Sequence, residues 1–296
     1  MPLPSGLGHS QFRYFSMKIT DYRFQFIQTL APLYDAAEAE SFFYLLLEAL
    51  RQMKRIDLAL EPATEFSESE IEAWNAIIEK LKTFIPIQYI IGVTHFYGLE
   101  LEVNPDVLIP RPETEELVEW ILSVNENKKL KILDIGTGSG CIAIALAKNL
   151  PQAQVYAIDV SKNALAIAKR NTKRNNVQVN FIEKNILETD DLEQTFDIIV
   201  SNPPYVRNLE KEEIKKNVLD HEPHLALFVD DHDALLFYRK IADLALKNLV
   251  PNGQLYFEIN QYLGKETMDL LEQKGFSQLE LRADIYGNNR MVFGRV

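Results

Sequence analysis

From Met17 to about Phe84, apolar residues recur every three or four positions, a spacing that predicts helices. Phe24, Ile27 and Leu30 share one face, and Phe42, Phe43, Leu46, Leu47 and Leu50 make a second stripe. A short helix over 56–60 is expected to stop at Pro62. Ser67 with Glu70 three positions on is a capping-box pattern ahead of Ile71, Trp74, Ile77, Ile78 and Leu81. These stripes predict a helical domain over 17–85, large enough to fold by itself. Residues 1–16 carry no such period; rich in Pro, Gly, Ser and His, they read as a disordered leader or a tag.

After Pro86 the period shortens. Residues 95–103 alternate well enough for a hairpin with Gly98 at its turn or bulge, so 86–111 reads as a linker with strand character. From 112 to 296, a helix over about 112–123 leads into alternating strands and helices. Strands are expected at 131–134, 155–159, 179–183, 198–201 and 254–258, with helices at 163–175 and 234–249 among the segments between them. The second of these helices is stopped by Pro251, Asn252 and Gly253, and two more strands follow at 279–281 and 291–293. Such alternation implies an α/β, doubly wound parallel sheet with ligands at the carboxyl ends of its strands.

Two strand ends carry candidate chemistry. After 131–134 comes Asp134-x-Gly136-Thr137-Gly138-Ser139-Gly140, then a helical run from Cys141. Alternate glycines let the backbone turn tightly and approach a ligand closely. The spacing differs from the G-x-G-x-x-G of dinucleotide binders, which disfavours a nicotinamide enzyme. About 20 residues on, Asp159 ends a second strand, where a carboxylate takes ribose hydroxyls. Strand 198–201 runs into Asn202, Pro203, Pro204 and Tyr205. Two prolines remove two N–H donors and fix φ, while Asn202 adds a neutral acceptor beside an aromatic ring. A rigid cluster of acceptors suits a planar NH2 group. The three features together describe an S-adenosylmethionine site beside an amino-group acceptor.

At this level of detail the chain resembles the HemK/PrmC family, N(5)-glutamine methyltransferases of class I peptide-chain release factors. The resemblance runs from about Pro86 to the C-terminus. It rests on Pro86–Gly92 (PIQYIIG), Phe96-Tyr97-Gly98, and 107–115, which includes Pro110-Arg111-Pro112-Glu113-Thr114-Glu115. The Asp134–Gly140 loop, Asn202–Tyr205, Glu222-Pro223, and Asp284 with Gly287 and Arg290 complete it. The tetrad alone also occurs in nucleic-acid amino methyltransferases; the segment around Arg111 narrows the family. The resemblance implies a Rossmann-like methyltransferase domain whose last strand is antiparallel. It also implies an N-terminal helical domain that helps to recognise the partner, and the glutamine of a Gly-Gly-Gln loop as acceptor. Asn202, Pro203, Pro204 and Tyr205 become the catalytic and substrate-binding residues. Asp134, Gly136, Thr137, Gly138, Ser139, Gly140, Asp159, Asn185, Ile186 and Asn202 become the cofactor-binding set. Asn185 stands where the family has Asp, and Asn260 where it has Gly. Arg111, Glu113 and Glu115 are expected to order the wall between hairpin and cofactor.

Bulk properties narrow the partners. With 31 Lys and Arg against 43 Asp and Glu, the net charge is −12, which opposes a nonspecific grip on nucleic acid. A single cysteine, Cys141, excludes an intrachain disulfide and fits a reducing compartment, and no apolar stretch reaches membrane length, so a cytoplasmic protein is expected; a monomer is the accompanying expectation. His221 and His224 flank Glu222 and Pro223, but two imidazoles without further ligands point to a loop role, and no metal is expected. Two rival functions remain: an amino methyltransferase of RNA or DNA, and a non-catalytic S-adenosylmethionine-binding adaptor.

Overall fold

The computed structural model describes residues 16–125 and 129–296, so the expected leader lies outside the described residues except for Ser16. The chain divides into two compact units, one ending at Ile91 and the other running from Gly92 to Val296.

The first unit opens with β1 (Met17–Lys18), paired antiparallel with β2 (Glu65–Phe66), and contains helices α1 (Ile19–Leu30), α2 (Ala36–Arg51), α3 (Arg55–Leu60), α4 (Glu68–Lys82) and α5 (Ile87–Ile91). Because α1 begins at Ile19, its inward face is Ile19, Tyr22, Phe26 and Leu30. This corrects the expected face: Phe24 is 63 % exposed, and on α2 Leu50 is likewise exposed. The rings of Tyr22, Phe26, Phe43 and Phe66 all pack on Trp74 of α4, so this aromatic cluster decides which face turns in. The Ser67–Glu70 capping box forms as expected. Residues 87–91, read from sequence as strand-like linker, instead coil into α5 directly after Pro86.

The second unit begins with a hairpin, β3 (Val93–Phe96) and β4 (Leu99–Glu102). Its two turn residues, Tyr97 and Gly98, both take positive φ, as a type I′ turn requires. Next come α6 (Pro112–Val124), β5 (Lys131–Ile135), α7 (Cys141–Asn149), β6 (Gln154–Asp159), α8 (Lys162–Asn175), β7 (Asn180–Glu183) and β8 (Phe196–Ser201). A more irregular stretch contains β9 (Val206–Arg207), α9 (Lys216–His221), α10 (His224–Leu227) and β10 (Phe228–Val229). The chain ends with α11 (Leu236–Asn248), β11 (Leu249–Glu258), α12 (Gly264–Gln273), β12 (Ser277–Ala283) and β13 (Asn289–Arg295).

Seven strands form one sheet in the order β12-β13-β11-β8-β5-β6-β7. The five from β11 to β7 are parallel, and β13 runs antiparallel to both neighbours. Alternate residues serve the two faces: Ile132, Val155 and Ile198 join the core that includes residues of α6 and α7, whereas Leu133, Ile158 and Ile199 join the core that includes residues of α11. Burial on both faces explains why these strands read as nearly continuous apolar runs. From β5 the chain moves outward through β6 and β7, then returns to the other side of β5 for β8. The loops after β5 and β8 therefore part in opposite directions and leave a crevice at the carboxyl edge.

Candidate active site

The loop after β5 is held from several sides. Gly136 and Thr137 donate their N–H groups to the Ile158 carbonyl at 2.8 and 3.0 Å, and Gly138 donates to Asp159 Oδ2 at 2.8 Å. Gly136, Gly138 and Gly140 all take positive φ, +74°, +54° and +85°. At Gly138 an added Cβ would meet no protein atom, whereas at Gly140 it would press on Ile144 and Ala168. The loop thus shows its glycine backbone to open space on one side and packs against helices on the other. Asp134 is fully buried beneath it and accepts from the Thr137 hydroxyl at 2.6 Å. Burial pushes the Asp134 carboxyl up to about 7, with the Thr137 hydroxyl opposing the shift. The Ser139 carbonyl accepts from Asn171 of α8, a buried amide that also bonds both the N–H and the carbonyl of Glu102 at the hairpin's end.

Asp159 closes the next strand. Its two oxygens accept from Gly138 and Ser161 N–H, and burial raises its carboxyl above the ordinary range. Each oxygen keeps a lone pair that can take a ribose hydroxyl. Asn185 uses its side-chain oxygen to cap the short turn at 186–188, accepting from Leu187 N–H at 3.1 Å, and so already has a structural duty in the place of the family's acid.

The tip of β8 faces this loop. Gly136, Gly138, Asp159, Asn185, Ile186, Asn202, Pro203 and Pro204 all line one cavity of about 390 Å³, a size suited to a cofactor. Asp134, Thr137, Ser139 and Gly140 do not line it; they brace the loop from behind. Tyr205 turns aside to a smaller neighbouring cavity of about 130 Å³, which it shares with Arg290 and Asn260.

Beneath the tetrad lies a polar network. Asn202 Nδ2 donates to Thr114 Oγ1 at 3.3 Å, and the Thr114 hydroxyl donates to Glu258 Oε2 at 2.6 Å. Tyr205 donates its hydroxyl to Glu258 Oε1 at 3.0 Å. Glu258 is buried; burial raises its carboxyl, while the two hydroxyls and nearby Arg290 pull it back down. The Tyr205 hydroxyl is held far above its ordinary range by burial and by Glu258, so it acts as a neutral donor. Burial also pushes the Cys141 thiol up to about 12, in keeping with a packing role.

Several residues of this site had no motif of their own in the sequence. Phe237 and Ile241 line the cavity from α11, as does Asp106 from the segment before α6. Glu222, noted only as part of a dipeptide, is buried; it accepts from Ile109 N–H at 3.1 Å and from Arg111 at 2.6 Å. This clasp joins two stretches that both line the cavity, 105–108 and the start of α10 with Pro223, Leu225 and Ala226. Glu115 of α6 accepts from Tyr97 N–H and ties the helix to the hairpin turn. Asn260 is not at positive φ; its amide donates to the Tyr205 carbonyl at 2.9 Å and to Glu210, which accounts for a side chain where the family has glycine.

The donor set fits S-adenosylmethionine: an acid at a strand end, an open glycine backbone, and apolar walls from Ile186 and Phe237. Among the described residues no helix is long and apolar enough to cross a membrane. Residues 25–92 match the family described as PrmC N-terminal domain, and residues 114–225 match the family described as Methyltransferase small domain. A release factor glutamine methyltransferase from Flavobacterium psychrophilum is 62% identical, the match covering 93% of this chain and 98% of the relative. One from Bacteroides thetaiotaomicron is 43% identical over 90% and 95%. The crystal structure of a methyltransferase from Pyrococcus furiosus shares the fold, with a TM-score of 0.51 at 20% identity over 75% of this chain and 98% of that one.

Proposed function

The chain belongs to the family of release factor glutamine methyltransferases, and from that premise we propose how its own residues act on a glutamine carboxamide. It is an S-adenosylmethionine-dependent protein-glutamine methyltransferase. S-adenosylmethionine supplies a methyl group already activated on a positively charged sulfur. Asp159 would hold the ribose hydroxyls, the backbone at Gly136 and Gly138 would accommodate the amino-acid end, and Ile186 with Phe237 would flank the base. Asn185 would offer the adenine amino group the remaining lone pair of its side-chain oxygen.

The acceptor nitrogen is a weak nucleophile because its lone pair is delocalised into the carbonyl. Asn202 Oδ1 and the Pro203 carbonyl accept its two N–H bonds, which draws electron density onto nitrogen and stabilises the positive charge that grows there. They also fix its line of approach, and alignment is most of what the reaction needs. The proton departs after transfer, so no strong base is required. Pro204 walls the carboxamide against water, and Tyr205, tied to Glu258, braces the tetrad from the neighbouring cavity. The observation that carries this reading is the engagement of Asn202 Nδ2 with Thr114, which leaves the amide oxygen for the acceptor.

The substrate is the Gly-Gly-Gln glutamine of class I release factors, with the helical unit of residues 17–85 contributing to partner recognition. The protein acts as a cytoplasmic monomer, and the net charge of −12 supports a protein substrate over nucleic acid. Incubation with labelled S-adenosylmethionine and purified release factor, followed by mass mapping, places the label on that glutamine. Asn202→Ala lowers turnover about a hundredfold while changing cofactor affinity by less than about threefold. Normal methylation by Asn202→Ala, or label in RNA or DNA but none in the factor, overturns the reading.

A further inference from the structure

An asparagine amide can face a site with either its oxygen or its NH2, and the two choices have opposite meaning for a ligand. With oxygen outward, Asn202 welcomes the NH2 of a carboxamide and repels a carboxylate. With nitrogen outward, it does the reverse. Some feature must fix the choice, and the neighbouring hydrogen bonds do so.

Glu258 is buried at the end of β11, with one hydroxyl aimed at each of its oxygens: Thr114 at 2.6 Å and Tyr205 at 3.0 Å. Burial raises the Glu258 carboxyl, and the two hydroxyls and Arg290 draw it back. Each carboxyl oxygen takes a hydroxyl proton, Thr114's on one side and Tyr205's on the other, so the Thr114 proton is committed to Glu258. Thr114 Oγ1 then has only lone pairs to offer in the direction of Asn202, 3.3 Å away. Only the NH2 of Asn202 can meet a lone pair. The amide oxygen is left for the cavity that Asn202 lines.

We propose that Thr114 and Glu258 are positioning residues that set the hydrogen-bond polarity of the acceptor site, and so make it select a carboxamide nitrogen over a carboxylate oxygen. The inference rests on the role given above to Asn202 and extends it to two residues that touch neither substrate nor cofactor. Thr114 opens the first turn of α6 and Glu258 lies 144 positions further along the chain, so the selection depends on two distant segments meeting.

Thr114→Val keeps the shape of the side chain and removes the relay; Thr114→Ser keeps the hydroxyl. The full-length protein is assayed with a release factor bearing the target glutamine, and with the same factor carrying glutamate at that position as an inhibitor. Thr114→Val is expected to lower kcat about tenfold, the equivalent of one lost transition-state hydrogen bond, with S-adenosylmethionine affinity within about twofold of the parent. Its inhibition by the glutamate factor, relative to its KM for the glutamine factor, tightens at least about threefold, because Asn202 is free to turn. Thr114→Ser restores both values to within about threefold of the parent. The proposal is overturned if Thr114→Val keeps the parent kcat, or if Val and Ser variants lose activity alike with the glutamate-to-glutamine preference unmoved. Loss of activity in Asn202→Ala with none in Thr114→Val refutes this inference alone; normal activity in both refutes the underlying reading as well.

Discussion

The clasp between Arg111 and Glu222 makes a prediction that separates its effect on stability from its effect on the cofactor. Glu222 holds two partners of unequal kind. Ile109 N–H is buried, and without an acceptor it costs about 1–3 kcal/mol. The Arg111 side chain is 30% exposed and rehydrates when released, so its share is discounted to about 1 kcal/mol or less. Glu222→Ala loses both and should cost about 1–4 kcal/mol, whereas Glu222→Gln keeps an acceptor for Ile109 and should cost about 1 kcal/mol or less. For a unit of this size each kcal/mol lowers Tm by roughly 2–4 °C. The two stretches joined by the clasp both line the cavity, so S-adenosylmethionine would have to gather them itself once the clasp is gone. Each 1.4 kcal/mol spent in that way raises Kd about tenfold. Thermal unfolding followed by circular dichroism gives the first quantity and calorimetric titration the second. Equal Tm losses in the Ala and Gln variants would refute the assignment of the larger share to Ile109. A low Tm for Glu222→Ala with parent cofactor affinity would refute the idea that the clasp shapes the cavity.

Two further predictions concern the loop after β5. Gly140→Ala combines a positive φ with a Cβ only 2.9 Å from Ile144 Cδ1 and 3.1 Å from Ala168 Cβ, and should destabilise by about 2–4 kcal/mol. Gly138→Ala has positive φ but open space and should cost only about 1 kcal/mol; urea unfolding that ranks the two variants the other way would contradict this. Asp134 has its carboxyl raised from 3.8 to about 7, so the folded state holds its proton more tightly than the unfolded state does. Its contribution is fully present below about pH 4 and is lost as the pH rises through 7, by roughly 4 kcal/mol in all. Asp134→Asn removes that loss, and the gap in unfolding free energy between variant and parent should widen in favour of the variant from pH 5 to pH 8. A constant gap would show that Asp134 titrates normally.

The sheet and the two arms of the site were legible because their signals are local. A buried parallel strand is a short apolar run, a glycine loop follows it directly, and Asn202–Tyr205 sits at the next such end; each can be read within about ten residues. Helix faces in the first unit were less legible. Phe24, Ile27 and Leu30 share a face as convincingly as Tyr22, Phe26 and Leu30, and the choice is made by Trp74, some 50 positions away, which gathers the inward rings. Residues 87–91 misled for a similar reason: Ile87, Ile90 and Ile91 suit a strand by composition, but α5 packs them on the helices of its own unit.

What stayed hidden is the set of buried polar residues that hold the carboxyl edge of the sheet. Asn171 joins the hairpin to the glycine loop, Glu222 joins Arg111 and Ile109 to the loop beyond it, Glu258 joins α6 to Tyr205, and Asn260 joins Tyr205 to Glu210. Each of these residues is buried, and each bonds groups on segments remote from it in sequence. No periodicity announces such a residue, because its partners are set by the tertiary fold. The same property makes these residues able to position a reaction. An apolar contact fixes distance but tolerates sliding and rotation, whereas a hydrogen bond also fixes which atom donates. A site that must tell NH2 from oxygen needs that second kind of information. In this protein it reaches Asn202 through Thr114 and Glu258, from outside the motif that marks the site in the sequence.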